Sequence, residues 1–189
     1  LGQGRKDKAE TSANQLLFVI FYISVFITAL CLIWRAPLLR LIFGSVEDEV
    51  MENALTYFFY TSMSFPFIAL FDSGSSVFRA QNNSRLPMTV TILTNIMNII
   101  GNAILIWGFG LGVAGAAIST LLSRITAALA VLLFLRRKTG HIVIGNFLFL
   151  KPQVRLIKNI LRIGIPSGIE NGMFQFGKLA IQSTVSTLG

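Results

Sequence analysis

Charge is scarce in this sequence. Of its 189 residues, 13% are charged and 53% are hydrophobic, where soluble domains carry about 25% charged residues. That balance excludes a soluble domain and makes this a membrane protein. The one cysteine, Cys31, lies inside an apolar run and excludes an intrachain disulfide. The one histidine, His141, stands in a basic linker with no partner at ligand spacing, which argues against a metal cluster. There is no phosphate-cradling glycine loop and no nucleophile paired with a base, so the chain carries no enzyme signature. Acidic residues are few, 8 against 16 basic, for a formal net charge of +8. The basic residues fall between the apolar runs, a pattern of membrane topology and not of a nucleic-acid surface.

What the sequence does have is apolar runs. They cover residues 16–34, 54–78, 87–107 and 113–135, and about 20 apolar residues suffice to cross a hydrocarbon core. A charged lead-in, residues 1–15, precedes a helix start near Thr11 and Ser12. Pro66 predicts a kink in the second run. The GFGLG turn at 108–112, followed by Gly115 and Ser119 at small-xxx-small spacing, predicts a close antiparallel hairpin of the third and fourth runs. After Arg136, Arg137 and Lys138 comes a linker, 139–159, whose patch IVIGNFLFL is too short to span. Arg155, Lys158 and Arg162 then predict an amphipathic helix at the interface. A last run begins near Ile165 and Pro166 and is still apolar at Gly189, so the chain reads as an internal piece of a longer polypeptide. The predicted fold class is all-α, a polytopic transmembrane helical bundle.

Within the third run, Thr91, Asn95, Asn98 and Asn102 step by four, three and four, with Thr94 on the flank. They form a narrow polar stripe on a helix that is otherwise Ile, Leu, Met and Val. Carboxamides in lipid must face protein, water or a solute. Two readings follow: interhelical hydrogen bonding alone, or an ion or substrate pathway. The last run repeats the pattern with Asn171, Gln175, Lys178 and Gln182, and Glu170 sits on its flank. Two such stripes predict two halves of a central cavity. Glu170, a carboxylate in low dielectric, is a candidate for proton exchange. The carboxamide oxygens of Asn98 and Asn102 are candidates for a hard cation such as Na⁺, the one metal expected. Lys178 supplies fixed positive charge and needs a counter-ion. Asp72 and Arg124 also fall within apolar runs. Asp72 is either an anchor near Arg79 or functional, and Arg124 is expected in a structural ion pair.

Several stretches together resemble the multidrug and toxic compound extrusion (MATE) transporters. They are GQGRKDKAE, FRAQNNSRLPM, NIMNIIGNAILIWGFGLGVAGAAIST and LRIGIPSGIENGMFQFGK. The resemblance implies two six-helix lobes around a central cavity. It implies export of cationic amphiphiles by alternating access, coupled to Na⁺ or H⁺ entry, with no other cofactor. Residues 1–138 would be helices three to six of the N-terminal lobe, 139–159 the cytoplasmic interlobe linker, and 160–189 the truncated seventh helix. Asn98 and Asn102 match a polar pair at the N-lobe cation site, and Thr120 a hydroxyl lining it. Many members have Asp where this chain has Asn102. Some have a glutamate deeper in the seventh helix, where Phe174 and Gln175 stand here, so Glu170 matches by type and not by position. The implied partners are organic cations and the bilayer, for a monomeric, multi-pass protein of the bacterial inner membrane. A flippase of lipid-linked saccharides on a related two-lobe fold is the alternative; its cavity would need several cations, and only Arg124 and Lys178 qualify.

Loop charges set the orientation. Lys and Arg cluster in residues 1–12, 79–86 and 136–162, whereas Glu47, Asp48, Glu49 and Glu52 crowd the loop between the first two runs. The basic loops are therefore cytoplasmic. In a Cys31→Ser background, Ser45→Cys should react with an impermeant maleimide on intact cells and Ser84→Cys should not. Labelling of the opposite pair would invert the topology.

Overall fold

Four stretches among the described residues form helices long and apolar enough to cross a membrane: Asp7–Ile33, Asp48–Ala80, Arg85–Gly108 and Gly112–Arg136. The structure, a computed structural model, describes residues 6–43, 47–137, 142–145, 147–150 and 152–188; Ser45 and His141 lie outside these. Its helices are α1 (Lys6–Ile33), α2 (Arg35–Phe43), α3 (Asp48–Met63), α4 (Phe65–Ala80), α5 (Arg85–Ala103), α6 (Gly112–Arg136) and α7 (Val154–Leu188). A π-helical turn, Ile104–Gly108, extends α5, and a 3₁₀ turn covers Phe147–Phe149. The chain divides into two units, Leu1–Leu150 and Lys151–Gly189.

In the first unit, α6 packs against α3, α4 and α5, and α1 packs against α4. The buried face of α6 is mostly small, with Gly115, Ala117, Ser119, Ser123, Ala127 and Ala128 ahead of Val131 and Leu135. Small side chains let backbones approach closely, which is how helices gain dispersion contact where lipid removes the hydrophobic drive. The outer face of α5, with Ile92, Leu93, Ile96, Ile99 and Ile100, is exposed, as a lipid-facing surface should be. Gly110 and Gly112 take positive φ values of 66° and 51° and turn the chain from α5 into α6.

The kink foreseen at Pro66 is a full break at Ser64, between α3 and α4. Pro66 has no N–H to give the Ser62 carbonyl four residues back. The Thr28 hydroxyl of α1 lies 3.2 Å from that carbonyl, the longer arm of a proton shared with the Ser24 carbonyl at 2.8 Å.

Three features differ from the sequence reading. Helix α1 begins at Lys6, so most of the charged lead-in is helical, with Asp7 in the first turn where the helix dipole favours an acid. The short helix α2 was not foreseen; Pro37 lies in its first turn, where a helix tolerates proline. The IVIGNFLFL patch docks on the bundle, burying Ile142, Ile144 and Phe147 in the core. Its amides are taken by side chains, Ile142 N donating to Gln81 Oε1 (3.2 Å), Val143 N to Glu10 Oε1 (3.1 Å) and Gly145 N to Asn14 Oδ1 (3.2 Å).

In the second unit, α7 runs unbroken through Pro166. The interfacial helix and the last apolar run, read from the sequence as successive segments, are one helix. One interior proline removes one hydrogen bond, and the flanking turns continue on either side of it.

The hairpin contact yields a prediction. A Cβ on Gly115 would lie 3.0 Å from the carbonyl carbon and oxygen of Leu105, which are backbone atoms that cannot rotate away. Gly115→Ala should therefore destabilise the intact protein by about 1–3 kcal/mol. Gly108→Ala, whose Cβ would meet only Ile104 at 3.9 Å, should stay within about 0.5 kcal/mol. Thermal melting of the two purified variants checks this.

Candidate functional site

Between α4, α5 and α6 lies a cavity of about 360 Å³. Helix α4 contributes Ile68 and Phe71; α5 contributes Thr91, Thr94, Asn95 and Asn98; α6 contributes Thr120, Ser123, Arg124 and Ala127. The polar stripe of α5 thus faces this space, while the isoleucines of the same helix face away from the bundle.

Hydrogen bonding gives the stripe a direction. Thr120 Oγ1 donates to the Ala116 carbonyl (2.9 Å) and Ser119 Oγ to the Asn98 carbonyl (3.0 Å). Each hydroxyl has one proton, so both oxygens can only accept from the Asn98 side chain. They do: Asn98 Nδ2 lies 3.3 Å from Thr120 Oγ1 and 3.5 Å from Ser119 Oγ. Asn98 must then turn its Oδ1 toward Asn102, whose Nδ2 donates to it at 3.3 Å. The chain of bonds ends at Asn102 Oδ1, a buried acceptor without a hydrogen-bond partner among the described residues. Leaving such an acceptor unpaired costs about 1–3 kcal/mol. A cation or an N–H or O–H donor at that oxygen would recover it.

The remaining wall hydroxyls are polarised the same way. Thr91, Thr94 and Ser123 donate to the carbonyls of Pro87, Val90 and Ser119, each at 2.9 Å. Their lone pairs are what is left to offer a guest.

Among the described residues Arg124 is in no ion pair, contrary to expectation. Its Nη1 donates to Ser64 Oγ, at the break between α3 and α4. Ser64 gives its own proton to the Thr61 carbonyl (2.6 Å) and so can only accept. Charge and depth in the span were legible for Arg124, but Ser64, sixty residues away, was not.

Of the other residues singled out, Asn95 lines the cavity and Asn102 reaches it through Asn98. Asp72 is exposed on α4, and Arg79 donates to the Ser76 hydroxyl (3.0 Å), not to the Asp72 carboxylate. Glu170, Gln175 and Lys178 belong to α7, in the second unit, and are exposed there. The Lys178 ammonium sits 4.6 Å from the centre of the Phe174 ring, a cation–π contact.

Comparison with known proteins gives a consistent picture. A family model, MatE, matches residues 1–104. The probable multidrug resistance protein NorM of Thermotoga maritima is 32% identical over 196 residues, which is 100% of this chain and 41% of NorM. The multidrug export protein MepA of Staphylococcus aureus is 29% identical over 143 residues, 76% of this chain and 32% of MepA. A solved structure of a multidrug resistance MATE family transporter of the MOP superfamily, in an inward-facing conformation, superposes with a TM-score of 0.78 at 28% identity. It covers 88% of this chain and 37% of that one. A crystal structure of MATE in the bent conformation gives 0.80 at 25% identity, over 92% and 39% of the two chains. The chain spans less than half the length of these relatives.

The direction of the bond chain predicts unequal roles for the two asparagines. Asn98 is the junction between α5 and α6, whereas Asn102 makes one bond and leaves an acceptor unpaired. In a buffer without small cations, Asn98→Leu should destabilise the intact protein by about 1–2 kcal/mol. Asn102→Leu should cost well under about 1 kcal/mol. Equal losses on thermal melting would contradict the assigned direction.

Proposed function

The chain belongs to the MatE family, and we propose that it forms part of a secondary active transporter exporting amphiphilic organic cations and drugs. Export would be coupled to entry of Na⁺ or H⁺, with the two lobes giving alternating access to a central cavity. The observation that carries this reading is the cavity itself. A wall of hydroxyl and carboxamide oxygens faces inward from a bundle whose outer surface is apolar. That is how a multi-pass membrane protein holds a polar solute away from lipid.

In this proposal residues 1–138 are helices three to six of the N-terminal lobe, 139–159 the interlobe linker, and 160–189 the start of the C-terminal lobe. Asn98, Asn102 and Thr120 bind the coupling ion, Asn95 lies on the substrate path, and Glu170, Gln175 and Lys178 serve the second lobe. The unpaired Asn102 Oδ1 supports the ion assignment, because hard cations take oxygen ligands. The flippase alternative gains nothing here: the cavity wall carries one cation, Arg124, and the named relatives are multidrug proteins.

The ion assignment is tested by adding the charge that many family members carry. Asn102→Asp should bind Na⁺ more tightly than the wild type, and a tenfold gain would appear as up to about 1.4 kcal/mol of extra Na⁺-dependent stabilisation. Protons would compete for the new carboxylate, so the gain should shrink as pH falls. If the variant melts lower than wild type and gains no Na⁺- or pH-dependent stabilisation, these residues bind no coupling ion.

A further inference from the structure

Arg124 sits in the cavity wall, and among the described residues most of its hydrogen-bonding capacity is unused. It lies twelve residues from Gly112 and twelve from Arg136 on α6, about 18 Å from either end of the helix at 1.5 Å per residue. An arginine side chain cannot snorkel that far. A guanidinium has five N–H donors. Among the described residues it meets one acceptor, the neutral hydroxyl of Ser64. No carboxylate lines the cavity, and none forms an ion pair with Arg124 among the described residues. A charge at this depth is costly unless it meets a counter-charge or water.

The rest of the wall has the opposite character. The hydroxyl protons of Thr91, Thr94, Thr120 and Ser123 are given to carbonyls of their own helices. Their oxygens offer lone pairs, so this side of the cavity suits a donor or a cation. The Phe71 ring adds an apolar surface on α4. The cavity therefore presents hydroxyl acceptors and the Asn95 carboxamide, both donor and acceptor, on one side and a single charged, fork-shaped donor, Arg124, on another.

We infer that Arg124 is the subsite for an anionic group, a carboxylate above all, on an amphiphile whose cationic or N–H-bearing part faces the oxygens of α5 and α6. The substrate class that satisfies both sides is zwitterionic. This deepens the transport reading and rests on it. A guanidinium pairs with a carboxylate through two parallel N–H···O bonds, which the wall hydroxyls cannot imitate. Arg124 would act as a specificity residue: it selects which amphiphiles are held.

Rhodamine B and its ethyl ester test this, because they share one cationic ring system and differ only in whether the carboxylate is free. The intact, purified wild-type protein should bind the acid about tenfold more tightly than the ester, the scale of one charge-assisted hydrogen bond. Arg124→Gln should bring that ratio to about one, because the acid loses its partner and the cationic ester loses a repelling charge. Arg124→Lys, which keeps the charge but loses the fork, should retain part of the preference. Equal wild-type affinity for the two dyes would overturn the anion subsite, a comparison that needs no variant to fold. So would a preference that survives in Arg124→Gln. If both dyes bind equally, the transport reading stands without the subsite. If neither dye binds to a folded, monodisperse protein, and neither is exported from cells, the transport reading falls as well.

Discussion

Inside a bilayer a polar group can turn only to protein or to what the protein holds, and helix α6 is where this chain meets that constraint. Its buried face is small enough to let α3, α4 and α5 approach. That closeness brings the hydroxyls of Ser119 and Thr120 within reach of Asn98. Packing and polarity are thus one arrangement. A larger side chain at Gly115 or Gly101 would push the helices apart and break the hydrogen bonds with them, since a Cβ on Gly101 would strike Ser119 Oγ itself.

A second chain of consequences starts at one missing N–H. Pro66 leaves the Ser62 carbonyl without its helical donor, and the Thr28 hydroxyl of α1, which also donates to the Ser24 carbonyl, approaches it across the interface. The helix breaks at Ser64, whose hydroxyl turns to the Thr61 carbonyl and presents its lone pairs outward. Those lone pairs receive Arg124 of α6. A proline on one helix therefore sets where an arginine on another can point, and α1, α3, α4 and α6 are tied together near that break.

What the sequence revealed and what it hid divide along physical lines. The four spans, the break near Pro66, the hairpin turn and the polar stripe of α5 were legible because each is written in local spacing: run length, a residue without an N–H, glycines, a step of three and four. Features that depend on distant partners were not. Nothing near Arg124 in the sequence points to Ser64, and the ion pair expected for it followed from charge and depth in the span alone. The docking of Ile142, Ile144 and Phe147 depends on Glu10, Asn14 and Gln81, far away along the chain. The unpaired state of Asn102 Oδ1 was hidden too, because it follows from where two hydroxyl protons on α6 go.

Among the described residues the Asn102 acceptor and the Arg124 donor are unmet valences of opposite sign, beside the partnerless hydroxyls of Thr61, Ser62 and Ser75, and the separation of the first two bears on the proposed exchange. Thr120 and Arg124 are one turn apart on α6, about 6 Å along its axis. A coupling cation beside Thr120 would feel Arg124 as repulsion of roughly 2–3 kcal/mol at an effective dielectric near 20. Neutral oxygens alone must hold the ion against that field, so it would be held loosely. An amphiphile placing its own positive charge at the same oxygens would repel the ion further and displace it. Its anionic end, drawn to Arg124, would anchor it there after the ion had left. Under the proposed function, competition of two cations for one set of neutral oxygens would couple their movements. A carboxylate at position 102 would hold such an ion harder and weaken the field of Arg124.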